Sequence, residues 1–352
     1  MNGAYLQAFP NTKLQWQSKH DKNIGLDLTL WNKLNMTFNY YWSTTQNSIS
    51  QLTVAPSIGF TSYAENIGDI ENKGLDLNLN YLVFNIPSTH SYLSLNFSIA
   101  SNKNRIKKIS DAMKKYNETM DAQKDGSVDV GGTVGNQTAT QTRDQYTRPA
   151  ARYVEGRSMT AIWGVQSAGI DPLTGKEVYI RPNGERTFVW NANDQVVIGD
   201  SRPKAHGTFG LNFEWKGFSF NTVCSYEMGA DYYNTTLVDK VENANIDYNV
   251  DKRYLYDRWK QPGDVALFKD IQNAEYTKPT SRFIMKNNQL VLSTINIGYD
   301  FRNWAFVKRL GFTSLKISAY MNNVATFSTV KQERGTSYPF ARNMNFALSF
   351  NL

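Results

Sequence analysis

Residues 65–84 read Glu-Asn-Ile-Gly-Asp-Ile-Glu-Asn-Lys-Gly-Leu-Asp-Leu-Asn-Leu-Asn-Tyr-Leu-Val-Phe, and after Gly74 the pattern becomes strict alternation. Successive side chains of a strand point to opposite sides, so Leu75, Leu77 and Leu79 share one face and Asp76, Asn78 and Asn80 the other. An antiparallel sheet of such strands separates an apolar phase from water. The fold turns on whether that phase is a protein core or a lipid bilayer.

The same period recurs on both sides of this stretch. Ile24, Leu26, Leu28 and Leu30 alternate with Gly25, Asp27 and Thr29, turn at Trp31, Asn32 and Lys33, and return as Leu34, Met36, Phe38, Tyr40 and Trp42. Each arm approaches the ~9–11 residues that a tilted strand needs to cross a bilayer. Leu93, Leu95, Phe97 and Ile99 follow a connection that contains Pro87, and Phe209 to Trp215 and Phe218 to Tyr226 flank the turn Lys216-Gly217. Val291 to Phe301, Leu315 to Met321 and Met344 to Leu352 complete nine predicted strands.

The connections alternate in length. Short ones are predicted at 31–33, 85–90, 216–217 and 302–314, and long ones at about 43–73, 101–204, 227–288 and 324–342. All long loops therefore leave one end of the sheet, which is the layout of an outer-membrane barrel with its long loops outside the cell. Trp31, Tyr40, Tyr41, Trp42, Tyr81, Trp215, Tyr226, Tyr299, Phe301 and Trp304 lie at or near strand ends, where aromatic girdles meet the membrane interface. No run approaches eighteen apolar residues, which excludes a transmembrane helix. The expectation is an all-β fold: nine strands of an antiparallel transmembrane β-barrel with long extracellular loops. An open nine-stranded sheet would leave two rows of unpaired backbone groups in lipid, so the strands belong to a larger barrel.

Within the longest loop, Ile106, Ile109, Met113, Tyr116 and Met120 recur at helical spacing and predict one amphipathic helix. Residues 125–136 are glycine-rich, but no strand precedes them and no Lys-Ser or Lys-Thr follows, so they read as a loop rather than a phosphate cradle. The turn sequences at 169–176 and 181–185 are expected to frame short strands.

Ordered along the chain are segments that together resemble the C-terminal part of SusC/RagA-type TonB-dependent outer-membrane transporters of Bacteroidetes. They are Asn11-Thr-Lys-Leu-Gln-Trp-Gln17, Asn23-Ile-Gly-Leu-Asp27, Asn72-Lys-Gly74, the run from Ile198 through Pro203 to Lys204, Trp215-Lys-Gly-Phe218, Arg258-Trp259-Lys-Gln-Pro262-Gly263-Asp264, Ser281-Arg-Phe283, Asn322-Asn323 and Tyr338-Pro339-Phe-Ala-Arg342. Gln17 stands where that family often has Glu, and Leu352 where it often has an aromatic residue. The resemblance implies a barrel of about twenty-two strands with a plugged lumen. It further implies outer-membrane lipid around the barrel, a SusD-like surface lipoprotein as lid, the TonB-ExbB-ExbD complex as energy source, and oligosaccharide or peptide as cargo. Residues 1–352 would supply the last nine strands, with the family's plug and earlier strands having no counterpart in them.

Chemistry of other kinds is scarce. The net charge of +7, from 38 Lys and Arg against 31 Asp and Glu, is scattered and forms no basic stripe, so nucleic acid is not an expected partner. Cys224 is alone and cannot belong to a disulfide framework. His20, His90 and His206 are far apart, so neither a metal site, a cofactor nor histidine-based catalysis is expected. Carboxylates such as Glu185 and Asp194 can be weighed as a pair, and a solvated loop is the simpler reading. Trp163, Trp190, Tyr232, Tyr233 and Trp259 are the candidates for cargo contact, because sugar C–H faces stack on aromatic rings. Their alternative role is packing within the loops, and Arg258 and Asp264 read as turn-fixing residues. The rival to the transporter reading is a self-contained soluble all-β module that binds glycans.

Overall fold

The computed structural model describes residues 11–53, 62–125, 147–244, 250–302, 304–309, 311–331 and 342–351. Thirteen strands run β1 Ser18–Leu30, β2 Leu34–Thr53, β3 Ser62–Ile86, β4 Ser91–Ile109, β5 Ala161–Ile170, β6 Glu177–Ile180, β7 Arg186–Thr187, β8 Gln195–Asp200, β9 Ala205–Trp215, β10 Phe218–Tyr233, β11 Ile284–Asp300, β12 Ser314–Ser328 and β13 Met344–Asn351. Nine form one antiparallel sheet in the order β1-β2-β3-β4-β9-β10-β11-β12-β13, and four form a small sheet ordered β7-β6-β5-β8. The nine strands are those the alternation predicts.

Register turns the sequence pattern into two continuous surfaces. Leu28, Met36, Leu79, Phe97, Phe209, Cys224, Leu292 and Ala325 are successive cross-strand partners from β1 to β12. Directly paired residues lie on one face, so this row and its neighbours make an apolar band across the sheet. The row Asp27, Thr37, Asn78, Ser98, Thr208 and Ser225 lies on the opposite face. A one-residue slip in any strand would exchange the faces, so the band fixes the register of the whole sheet.

Tight turns close the near end. Lys216 and Gly217 sit at φ 48° and 95° between the paired Trp215 and Phe218, the left-handed geometry that a two-residue hairpin turn demands. Trp31 and Asn32, at φ 53° and 51°, do the same for β1 and β2. Aromatic rings gather at this end: Phe84 meets Trp215 at 5.9 Å, Tyr299 meets Phe301 at 4.7 Å, and Phe301 meets Trp304 at 5.1 Å. A short helix, Ala305–Arg309, lies in the connection between β11 and β12.

At the far end the ladders outlast the alternation. The predicted loop 43–73 is mostly strand, since β2 continues to Thr53 and β3 begins at Ser62. In the same way β4 runs to Ile109, β10 to Tyr233 and β12 to Ser328, while β11 begins at Ile284. Alternation marks a strand only where its faces meet different solvents; where both are wet or loop-covered, pairing continues without a period-two signal. The helix is also displaced: α1 spans Asp111–Asp125 and carries Met113, Tyr116 and Met120, while Ile106 and Ile109 belong to β4. Most of the glycine-rich 125–136 segment lies outside the described residues. Among the described residues no helix is long and apolar enough to cross a membrane, and β1 and β13 are free sheet edges.

Candidate functional site

The long connections build a packed structure at the far end, held to the polar face of the sheet. Asn104 on β4 accepts hydrogen bonds from Ser158 Oγ at 2.8 Å and the Met159 amide at 3.0 Å. Beside it Ile106 and the 156–157 segment exchange backbone hydrogen bonds of 2.8 and 2.9 Å. α1 is fastened by an amide pair: Asn117 donates to the Tyr153 carbonyl at 2.7 Å and accepts from the Tyr153 amide at 3.0 Å. Its apolar side completes a small core in which Met113 packs with Ile67 and Ile70. The narrow gap among Ile67, Ile70, Ile106, Ile109, Tyr153 and Met159 is lined by hydrocarbon and one tyrosine, with little polar surface to orient a ligand.

A second core joins the loop between β10 and β11 to the small sheet. Tyr233, Leu237, Val238, Val241, Phe268 and Phe283 are buried together, with Ile162 and Ile198 packed against them. At its centre Arg282 bridges Glu177 at 2.8 Å and Glu242 at 2.6 Å, with all three side chains at most 4% exposed. Burial opposes the Arg282 charge, but Glu177 and then Glu242 outweigh it and hold the guanidinium protonated well above its ordinary range. Glu242 also accepts from Thr277 Oγ1 at 3.1 Å and the Lys269 amide at 3.3 Å. Burial pushes the Lys269 ammonium below its usual value, against the opposing pull of Glu242. The Lys269 ammonium donates to the Glu275 carbonyl and to Asn243 Oδ1.

Arg258 is a third buried cation, and its partners are carbonyls. Its guanidinium donates to Tyr254 and Lys269 at 2.9 Å, Val241 at 2.7 Å and Glu242 at 3.1 Å, and lies 4.3 Å from the Tyr254 ring centre. The planar fork of arginine is suited to collecting several carbonyls at fixed angles. Next to it Trp259 Nε1 donates to the Pro172 carbonyl at 2.8 Å. Pro262 and Gly263, the latter at φ 101°, form the turn from Gln261 to Asp264. Asp264 Oδ2 caps it by accepting from the Lys260 and Gln261 amides at 3.0 and 3.1 Å, and the Gly263 amide reaches the Pro172 carbonyl at 2.8 Å. This motif therefore locks the 171–176 turn to the 254–270 loop.

Burial separates the five aromatic candidates. Trp163, Tyr233 and Trp259 are 6%, 6% and 8% exposed, which corrects the expectation of cargo contact to one of packing at these three positions. Tyr232 is 38% exposed and pairs with Met285 on β11. Trp190 is half-buried, with Lys278 over its ring at 4.6 Å and its Nε1 on the Pro279 carbonyl. Among the remaining signature positions, Asn72 and Gly74 lie on β3 with Gly74 against the Tyr41 ring, and Pro203 sits between β8 and β9. Arg342 is exposed, and Pro339 lies outside the described residues. Glu185 and Asp194 do approach each other, but through Arg181, at 2.9 and 3.6 Å; a shared cation leaves no proton-sharing acid–base pair. Among the described residues no three His, Cys, Asp or Glu side chains could hold a metal.

Sequence reasoning missed the Glu177–Arg282–Glu242 cluster. Its one trace was Ser281-Arg-Phe283, quoted as a signature without a role; in the structure Phe283 is 1% exposed and Ser281 Oγ accepts from the Ser167 amide at 2.9 Å. Among the residues these locked loops leave in solvent are three large apolar ones: Leu173, Tyr256 and Val265 are 71%, 63% and 94% exposed.

Known proteins supply an independent comparison. The family profile described as TonB dependent receptor-like, beta-barrel matches residues 1–223. TonB-dependent receptors P39 and P3 of Formosa agariphila are 23% and 22% identical to the chain, each over 93% of it but only 33% and 31% of their own length. Structures of the RagAB peptide transporter and of the RagAB importer in its open-open state superpose with TM-scores of 0.69 and 0.67 at 18% identity. They cover 94% and 93% of this chain and 34% and 33% of theirs. The chain thus spans about a third of the length of the relatives it matches.

Proposed function

The chain belongs to the TonB-dependent receptor-like β-barrel family, and from that membership we propose that its nine long strands form part of the wall of an outer-membrane import receptor. The apolar band faces lipid, the polar face lines the lumen, and the loop structure stands at the outer mouth. The observation that carries this reading is the unbroken apolar band across successive strands with every large connection beyond one rim. In water that band would be a large exposed apolar surface, which soluble monomers avoid; a soluble glycan-binding sheet would have to cover it.

The cargo in this reading is oligosaccharide or peptide. It passes beneath a SusD-like lipoprotein lid and is drawn inward by the TonB-ExbB-ExbD complex. Support for the peptide option comes from the fold neighbours, a peptide transporter and a peptide importer, and from the exposed Leu173, Tyr256 and Val265 on loops held rigid by Arg258. The family is one of receptors and transporters rather than enzymes, in keeping with the pairing of Glu185 and Asp194 to one arginine.

The test is topology in whole cells. In a Cys224→Ser background, Leu173→Cys should react with a membrane-impermeant maleimide on intact cells, whereas Asn32→Cys at the tight-turn end should react only after lysis. Labelling of both positions on intact cells, or recovery of the protein as a folded monomer without detergent, would refute the reading.

A further inference from the structure

On its first four strands the apolar band ends in charge. At its far rim Lys22, Trp42, Lys73 and Lys103 are register partners on the adjacent strands β1, β2, β3 and β4. They continue the outward face, since the row below them is Ile24, Tyr40, Leu75 and Ser101. The row above is His20, Thr44, Glu71 and Arg105, and Lys107 reaches Glu71 at 3.4 Å. Lys22, Lys73, Lys103, Arg105 and Lys107 thus share this rim with one carboxylate, Glu71, which Lys73 also contacts at 3.2 Å. Lys22 lies 4.6 Å from the Trp42 ring centre. Lys103 and Arg105 are exposed and have no carboxylate partner among the described residues.

On the neighbouring strands the apolar band itself continues through the paired Ala205 and Met228 and the paired Leu290 and Phe327. Four strands span about 14 Å at ~4.8 Å per step, which is the scale of one lipid headgroup. The patch therefore offers hydrocarbon below, an indole at the interface and concentrated positive charge above.

We propose that the outward rim of β1 to β4 is a binding site for a phosphate-bearing anionic lipid of the outer leaflet. Its acyl chains lie along the Leu77 and Ile99 region and its phosphates are held by Lys22, Lys73, Lys103 and Arg105. Charge complementarity selects the headgroup: phosphate oxygens accept charge-assisted hydrogen bonds from lysine and arginine, and basic clusters beside an apolar surface attract anionic lipid. The proposal rests on the outer-membrane reading above.

The test uses the intact receptor, purified from membranes and stripped of lipid in a neutral maltoside, with binding counted by native mass spectrometry. The probes are a bisphosphorylated glucosamine glycolipid, its dephosphorylated form and inorganic phosphate. The paired change Lys103→Gln with Arg105→Gln should weaken binding of the phosphorylated lipid at least tenfold, while Lys103→Arg alone and a control pair at the opposite rim, Lys33→Gln with Lys216→Gln, should leave it unchanged. If the pair impairs folding, Lys103→Gln alone should weaken binding severalfold. Undiminished binding in folded variants would overturn the site, as would equal binding of the dephosphorylated lipid or displacement by inorganic phosphate. A receptor recovered without detergent would instead refute the membrane reading itself.

Discussion

Arg282 joins segments that are far apart in sequence, through Glu177 on one side and Glu242 on the other. Removing one member of a buried charge cluster costs about 3–5 kcal/mol, because the remaining charges lose compensation. Arg282→Ala should therefore release the 234–243 and 171–180 segments together, seen as lost protection in hydrogen exchange, while the nine-stranded sheet keeps its own. Arg258→Lys should cost about 1.5–3 kcal/mol, because an ammonium cannot reach four carbonyls in the directions a guanidinium does, and proteolysis should appear first within 254–270. Lys269 adds a pH dependence. Its folded pKa lies below its unfolded value, so between the two the unfolded chain binds more protons, and loop stability should rise with pH as it passes through the folded value toward the ordinary 10.5. Unfolding of the loops at pH 8 to 11 should show this rise in the parent and less of it in Lys269→Met. Of this only the loop-fixing role of Arg258 is legible in the sequence. Glu177, Glu242 and Arg282 look like any loop charges until the fold brings them together, and Trp259 looks as available to cargo as Tyr256 until its burial is known.

On the scale of a strand, legibility follows the solvent. In the proposed wall one face of β3 from Leu75 to Leu79 meets hydrocarbon, and the alternation is plain; from Ser62 to Lys73 the strand continues in β geometry with little pattern to announce it. Leu77→Arg should cost about 2–4 kcal/mol if the site lies near the bilayer midplane, measured by urea unfolding in lipid vesicles, whereas Asn78→Arg, on the lumen face, should cost far less. Gly74 makes a second test of β3. A Cβ there would overlap the Tyr41 ring, so Gly74→Ala must displace that ring, at about 1–3 kcal/mol for overpacking. Tyr41→Ala combined with Gly74→Ala should be less than additive. Full additivity would show that the ring and the glycine do not depend on each other. The helix boundary failed for a related reason: Ile106 and Ile109 bury their side chains from a strand, and five apolar residues at helical spacing cannot reveal that two of them are held by a neighbouring ladder.

Over the whole molecule the order of long and short connections was the most informative sequence feature, because it depends on counting residues rather than on side-chain chemistry. It gave the two ends of the wall before any contact was known. It could not give the small four-stranded sheet, whose strands of two to ten residues are held largely by contacts with segments distant in sequence. The account as a whole depends on which face of the wall meets lipid. A nitroxide scan of residues 75 to 80 in the intact receptor, reconstituted in bilayers, measures this directly through collision with oxygen, which concentrates in hydrocarbon, and with a nickel chelate, which stays in water. The account predicts oxygen maxima at 75, 77 and 79 and chelate maxima at 76, 78 and 80; the opposite phase, or no alternation, would contradict it.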